Sequence, residues 1–358
     1  MKNTTNVDYL IVGQGIAGST LAWELLKCNK KILVIDNHHK DSSSIAAGGN
    51  VNPVTGKRFV KSWHIEDLLL AANSMYTEME KEFGVQIWEP RSNVRILHSE
   101  EQEKDWLARA VLWDKFFGNS LDKLLLKSIF SNAAGASEIT GGGRVNMQLI
   151  LKKIAGILSE KNILWSIKFD YNRFSIKQDS IEYRNGNEII CAHRIIFCEG
   201  WQAIHNPYFN YLPFQLSKGE ALIVRFLGEY PFAHSIVNND LTVSQIAEDH
   251  FWVGATNVFN DISTKPTKIG LDELLNRLEL SVKIPFEIIE HRACVRPTIK
   301  DKLPLLGVHP NFAAMYIFNG LGTKGASLAP MLSRQLVNNL ESNIPLNSEC
   351  SIARFELC

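Results

Sequence analysis

Residues Val7–Asp36 read VDYLIVGQGIAGSTLAWELLKCNKKILVID, and the order of their patterns is strand, glycine turn, helix, strand, acid. Val7–Val12 is a short apolar, β-branched run, long enough for one buried parallel strand. Gly13, Gly15 and Gly18 follow in the frame GQGIAG, and Ser19–Lys27 carries apolar residues at helical spacing. Lys31–Ile35 is a second buried strand, ending at Asp36, 18 residues past Gly18. This is a dinucleotide fingerprint in its full setting. Gly13 permits the tight turn, and Gly15, followed by Ile16 and Ala17, lets backbone approach a pyrophosphate. Gly18 lets helix and strand pack closely. The helix start offers N–H groups and a positive dipole end to phosphates. Asp36, followed by Asn37, is placed to accept hydrogen bonds from a ribose diol. No Arg follows Asp36 directly, which disfavours a 2′-phosphate and therefore NADP. The motif specifies an adenine dinucleotide without saying which one.

Composition bounds the remaining readings. The chain of 358 residues balances 38 Lys+Arg against 38 Asp+Glu, which argues against a protein built mainly around a nucleic-acid backbone. Its length suggests two domains. No apolar stretch reaches the roughly 18 residues of a membrane span. The polar start, Met1–Asp8, has no apolar signal core, and the six scattered cysteines form no CxxC pair. The expectation is a cytoplasmic protein with reduced thiols and no metal site.

Further motifs choose between dinucleotides. Ser42–Pro53 (SSSIAAGGNVNP) is a small-residue loop straight after the acid, and small side chains let backbone lie against a flat ligand. Val295–Gly307 (VRPTIKDKLPLLG) precedes Ile317–Pro330 (IFNGLGTKGASLAP). The second of these repeats the opening logic, with a strand at Met315–Phe318, a glycine turn, and a helix starting at Ala326. Helical periodicity is predicted for Glu66–Phe83, Glu100–Phe117 and Val145–Lys161. Short alternating runs fill Ile163–Phe197, with a hairpin signal at Asn185-Gly186, and further strands are predicted at Ala221–Arg225, Leu241–Ile246 and Phe251–Ala255.

Taken in order, GQGIAG with Asp36, SSSIAAGG, RIIFCEGW (Arg194–Trp201), LPFQLSKGE (Leu212–Glu220), VRPTIKD…LPLLG and NGLGTKG resemble the FAD-dependent D-amino-acid oxidase family. That family includes glycine oxidase, sarcosine oxidase and a tRNA-modifying branch. The resemblance implies an α/β fold: a Rossmann-type, glutathione-reductase-like FAD-binding domain with an antiparallel-sheet substrate domain inserted. The expected division is 1–80, 141–205 and 295–358 for a discontinuous FAD-binding domain, with 81–140 and 206–294 for the substrate domain. Expected FAD contacts are Gly13, Gly15, Ile16, Ala17, Gly18, Asp36, Asn37, Ser43, Ser44, Ala47, Gly48, Gly49, Gly200 and Trp201. Asn319, Gly320, Leu321, Gly322, Thr323, Lys324 and Gly325 complete that set, with Lys324 at the flavin edge.

The implied activity is transfer of hydride from the α-carbon of an amine or amino acid to flavin. The imine then hydrolyses, and electrons pass to oxygen or another acceptor. The flavin carries the hard chemistry and the protein orients the substrate. Arg296, in a segment resembling the family's Arg-Pro motif, would bind the substrate carboxylate in the two-bond geometry that Lys cannot reproduce. The alternative is a structural Arg paired with an acid such as Asp301. Lys57 and Arg58 would line the flavin or the substrate mouth, or else form a solvated turn beside Gly56. Cys294 stands where the sarcosine-oxidase branch carries its covalent flavin cysteine. Non-covalent FAD is the favoured expectation and a link through Cys294 the alternative. Where that branch has a lysine for oxygen, the similar strand here reads FWVG, with Trp252. A glycine-like or N-substituted glycine substrate ranks first. Second is the tRNA branch's substrate, carboxymethylaminomethyl-uridine, whose methyltransferase partner domain has no counterpart in these residues. A flavin-binding protein without catalysis and an NAD-dependent dehydrogenase are the readings from other classes.

Overall fold

In the structure, a computed structural model, residues 3–38, 42–56, 59–110, 114–131, 133–177 and 180–355 are described. The apolar run at the amino terminus forms the strand Asn3–Val12. The strands Ile32–Ile35 and Glu188–Phe197 lie parallel to it on either side. Leu164–Trp165 extends the sheet beyond Ile32–Ile35, and Phe312–Asn319 pairs parallel with Glu188–Phe197. Counted by appearance in the chain, these parallel strands lie in the order 3-2-1-4-5. That is the doubly wound arrangement, in which ligands bind at the carboxyl ends where the order reverses. The reversal here falls between Val12 and Phe197. The Asn185-Gly186 turn does join two antiparallel strands, Ile181–Asn185 and Glu188–Phe197.

The helix Ile16–Lys27 is buried from Ile16 through Leu25, because it lies between this sheet and the helix Gly325–Ser342. Leu21, Leu25, Leu332 and Leu336 meet in one core, together with Met75 and Tyr76 of the helix Ile65–Phe83. The Tyr76 hydroxyl donates to the Ala326 carbonyl at 2.6 Å, which satisfies its buried polar atom.

A second sheet of nine strands draws on Asn93–Leu97, Phe117–Ser120 and Gly135–Ile139, and on strands between Ser217 and Arg296. It is antiparallel except where Ile236–Asn238 meets Asn93–Leu97. Its long central pair is Ser217–Phe226 with Phe286–Arg296, and Phe251–Gly254 lies on the other side of Ser217–Phe226. Leu222 and Val224 face a core shared with Leu274 and Leu278 of the helix Lys268–Ser281. The alternate residues, Gly219 and Ala221, face the other way.

One helical expectation is cut short. The helix beginning at Glu100 ends at Ala110, and Asp114–Phe116 forms a single 3-10 turn before the strand Phe117–Ser120. Phe116 and Trp106 bury themselves with Phe59 and Ile139, so tertiary packing takes the last turn of the pattern away from the helix.

Candidate functional site

A cavity of about 1060 Å³ opens at the sheet's reversal point and runs on to the open face of the second sheet. Its first wall is the fingerprint. Gly13 has φ +100°, and a Cβ there would lie 2.4 Å from the Cys198 carbonyl oxygen. A Cβ on Gly18 would lie 1.9 Å from the Gly13 oxygen, so Gly18 packs the helix onto the turn and does not itself line the cavity. Gly15 lines it, and no protein backbone lies close to its Cβ position. The Ser44 hydroxyl accepts from the Ile16 amide at 3.1 Å, tying the small-residue loop to the start of the fingerprint helix. Asp36 lines the cavity and accepts from the Gln14 amide (2.9 Å) and the His38 amide (2.7 Å), which fixes its carboxylate.

The helices Ile16–Lys27 and Gly325–Ser342 both begin at this cavity, and neither start carries a side-chain cap. Two positive dipole ends thus face one space. Gly322, with φ +53°, bends the chain between Leu321 and Thr323, and all three line the cavity. Asn319 joins this turn to the CEGW segment by donating to the Gly200 carbonyl at 2.9 Å. A dinucleotide ending in a flat ring fits this lining: two uncapped helix starts, an acid for a ribose, and glycine backbone along the path.

Most of the residues expected at the cofactor site line this one cavity, including Asn37, Ser43, Ala47, Gly48, Gly49 and Trp201. Gly320 does not. It takes φ +74° against Ile299 and Leu305. Lys324 is exposed and outside the lining, while its neighbours Thr323 and Gly325 are in it. Lys57 and Arg58 lie outside the described residues.

The far wall is the open face of the second sheet. Arg292, Cys294 and Arg296 alternate along Phe286–Arg296 and all line the cavity, beside Gly219 and Ala221. The Arg296 guanidinium lies across Gly219, where a Cβ would be 1.9 Å from Nη2. It donates to the Thr256 carbonyl and Asn257 Oδ1, each at 3.1 Å, and to the Lys218 carbonyl at 3.5 Å. Those acceptors are neutral. Among the described residues no carboxylate pairs with Arg296, and Asp301 is taken by Arg354 at 2.9 Å. Burial pulls the Arg296 pKa below its ordinary value, which is the cost of holding a cation there without an anion.

Its brace continues behind the wall. Thr256 Oγ1 accepts from the Glu220 amide at 2.8 Å, and the Glu220 carbonyl accepts from the Thr256 amide at 3.0 Å. Lys218, 1% exposed, holds Ser263 at 2.8 Å, Glu220 at 3.2 Å and Asp261 at 3.4 Å.

Trp252 donates from Nε1 to the Ala46 carbonyl at 3.0 Å and packs against Gly48. Its side chain therefore closes the cavity between the small-residue loop and the sheet. Two groups in the lining were not read from the sequence. Arg292 was signalled by its spacing of four from Arg296, which puts both on one face of a strand. Glu199, inside the CEGW motif, accepts from the Tyr171 hydroxyl and from Asn206 Nδ2 at 2.8 Å. It touches solvent only partly, through the cavity, and the protein packed around it pushes its carboxyl up to about 7. Nothing in a single Glu reveals such crowding before the chain is folded.

A fingerprint on a doubly wound sheet, joined to a second sheet that offers a half-buried guanidinium, defines a flavin-type oxidoreductase built on an adenine dinucleotide. The chain belongs to the family described as DAO, FAD dependent oxidoreductase, which matches residues 8–338. It is 23% identical over 354 residues to the uncharacterized oxidoreductase YurR of Bacillus subtilis (strain 168), covering 92% of this chain and 93% of that protein. It is also 23% identical to a glycine oxidase of Geobacillus kaustophilus (strain HTA426), covering 92% and 91%. In fold it resembles iminodiacetate oxidase from Chelativorans sp. BNC1 (TM-score 0.80, 20% identity, 96% and 99% covered). Glycine oxidase from Geobacillus kaustophilus is similar as well (TM-score 0.77, 19% identity, 99% and 98% covered). The protein is thus an FAD-dependent oxidoreductase, and its relatives are enzymes. Among the described residues no helix is long and apolar enough to cross a membrane, and no cluster of potential metal ligands is found.

Proposed function

We propose that this enzyme oxidises the α-carbon of a small amino acid or N-substituted glycine whose carboxylate is bound by Arg296. The observation that carries this reading is a half-buried guanidinium on the cavity wall whose described partners are all neutral. A carboxylate there would receive charge-assisted bonds and supply the counter-charge that Arg296 lacks among the described residues. FAD, when bound, supplies the hydride acceptor. The chain's own part is to hold the substrate by its carboxylate, so that the α-carbon is presented to the cofactor's space, and to exclude water. Gly219 makes room for the Arg296 guanidinium against the sheet, the small Ala221 keeps the face beside it open for the substrate, and Trp252 also lines this wall.

Three further readings belong to this proposal. FAD is held non-covalently, with Cys294 a neighbour in the wall. Segments 1–80, 141–205 and 295–358 are assigned to FAD binding and 81–140 and 206–294 to the substrate sheet, whose strand Phe286–Arg296 carries Arg296 just past that boundary. Oxygen is the acceptor, reached without a lysine at position 252.

The test is an anaerobic titration of the purified holoprotein with glycine, sarcosine, proline and D-amino acids, following the oxidised flavin band, and then admission of air. Bleaching by one of these, reduced at least a hundredfold in kcat/KM by Arg296→Ala, is the expected result. Rapid recolouring identifies oxygen as the acceptor. A yellow protein that no small amine bleaches would end the reading and make modified tRNA the next substrate to try.

A further inference from the structure

Two guanidinium groups stand on the cavity face of one strand. Arg292 and Arg296 are four residues apart on Phe286–Arg296, so their Cα atoms are separated by about 13 Å. Arg296 does not project straight out. Its guanidinium lies over Gly219, whose register partner is Cys294, which brings its charge back about two residues towards Arg292. The remaining distance along the strand from the Arg292 Cα is about 7 Å. The Arg292 side chain leans the other way, towards Glu290 two residues further along the same face, and spans part of that distance once it leaves Glu290. Arg292 has one ionic partner among the described residues, Glu290 at 2.6 Å, and that carboxylate is 51% exposed. A pair with so exposed a member is weakly held and exchanges readily for another carboxylate. No acidic side chain lies in the cavity lining on this strand or on its neighbour Ser217–Phe226. The acids of the lining among the described residues, Asp36, Asp170 and Glu199, belong to the dinucleotide sheet and its connections.

We infer that the substrate carries a second carboxylate and that Arg292 receives it while Arg296 holds the one next to the reacting carbon. The inference rests on the oxidation proposed above and narrows its substrate class. The molecules that fit are acidic amino acids and secondary amines bearing a carboxylate on each arm, in which a few bonds separate the two carboxyl groups. A guanidinium at each end fixes both position and direction, so only one α-carbon is presented to the cofactor. A monocarboxylate such as glycine satisfies Arg296 and leaves Arg292 with Glu290.

Two measurements on the holoprotein separate this inference from the proposal beneath it. The first is binding without reaction: succinate, glutarate and acetate are titrated against the flavin spectrum of wild type, Arg292→Gln and Glu290→Gln. Succinate or glutarate should bind at least tenfold more tightly than acetate. That preference should fall at least fivefold in Arg292→Gln and rise in Glu290→Gln, which removes the competing carboxylate. The second is anaerobic reduction by iminodiacetate, aspartate and glutamate against glycine and sarcosine, where the same order in kcat/KM is expected. Equal binding of mono- and dicarboxylates, or an Arg292→Gln preference like that of wild type, overturns the inference even if glycine bleaches the flavin. A dicarboxylate preference in binding with no reduction by any amine upholds Arg292's role and overturns the oxidation.

Discussion

Arg296 and Glu199 show how one cavity places opposite charges under strain for different reasons. Arg296 is short of an anion and is held by carbonyls, whereas Glu199 is short of solvent and, among the described residues, has two neutral donors, Tyr171 and Asn206. Burial raises the Glu199 carboxyl to about 7 from an ordinary value of 4.5. The folded state therefore favours its protonated form. Stability linked to this proton is complete below pH 4.5, declines as pH rises towards 7, and is lost above it. Glu199→Gln removes that dependence. Urea unfolding of the two proteins should show wild type losing about 2–3 kcal/mol relative to the variant between pH 5 and pH 8. A constant difference across that range would mean that the carboxyl is ionised throughout.

At the level of elements, the fingerprint works because its helix sits against its turn. Gly18 faces the Gly13 carbonyl so closely that any side chain must move the helix. Gly18→Ala is expected to cost about 2–3 kcal/mol in unfolding free energy and to yield protein with little bound flavin, read from the ratio of flavin to protein absorbance. The strand Phe286–Arg296 follows a similar logic at its own scale. Alternation puts Arg292, Cys294 and Arg296 on the cavity face, while the partner strand contributes Gly219, where the guanidinium lies in place of a side chain. The strand–turn–helix of the fingerprint, the hairpin at Asn185-Gly186 and the helix after NGLGTKG were legible because each is written in contiguous residues. The end of the Glu100 helix was not, because packing around Trp106 and Phe116 overrode a local period.

For the whole molecule, the cavity lies between two sheets, and its lining comes from both. A ligand spanning it should hold them together. FAD binds the folded chain, so a hundredfold excess over its dissociation constant adds about 2.7 kcal/mol to stability. Stripping the flavin should lower the thermal midpoint by several degrees, and adding FAD back should restore it, as differential scanning calorimetry would show. An unchanged midpoint would mean that the folded sheets are indifferent to the cofactor.

The sequence by itself determined the dinucleotide fold and much of its lining, because the fingerprint, the small-residue loop and the second glycine turn each depend on neighbours a few residues away. It also singled out Arg296 by its motif. Only the tertiary structure decided what Arg296 is paired with, since the choice between Asp301 and the loop at Thr256 depends on strands brought together across 40 residues or more. The same holds for the titration of Glu199 and for the company Arg292 keeps. Burial and charge are properties of the assembled cavity, and no local run of residues encodes them.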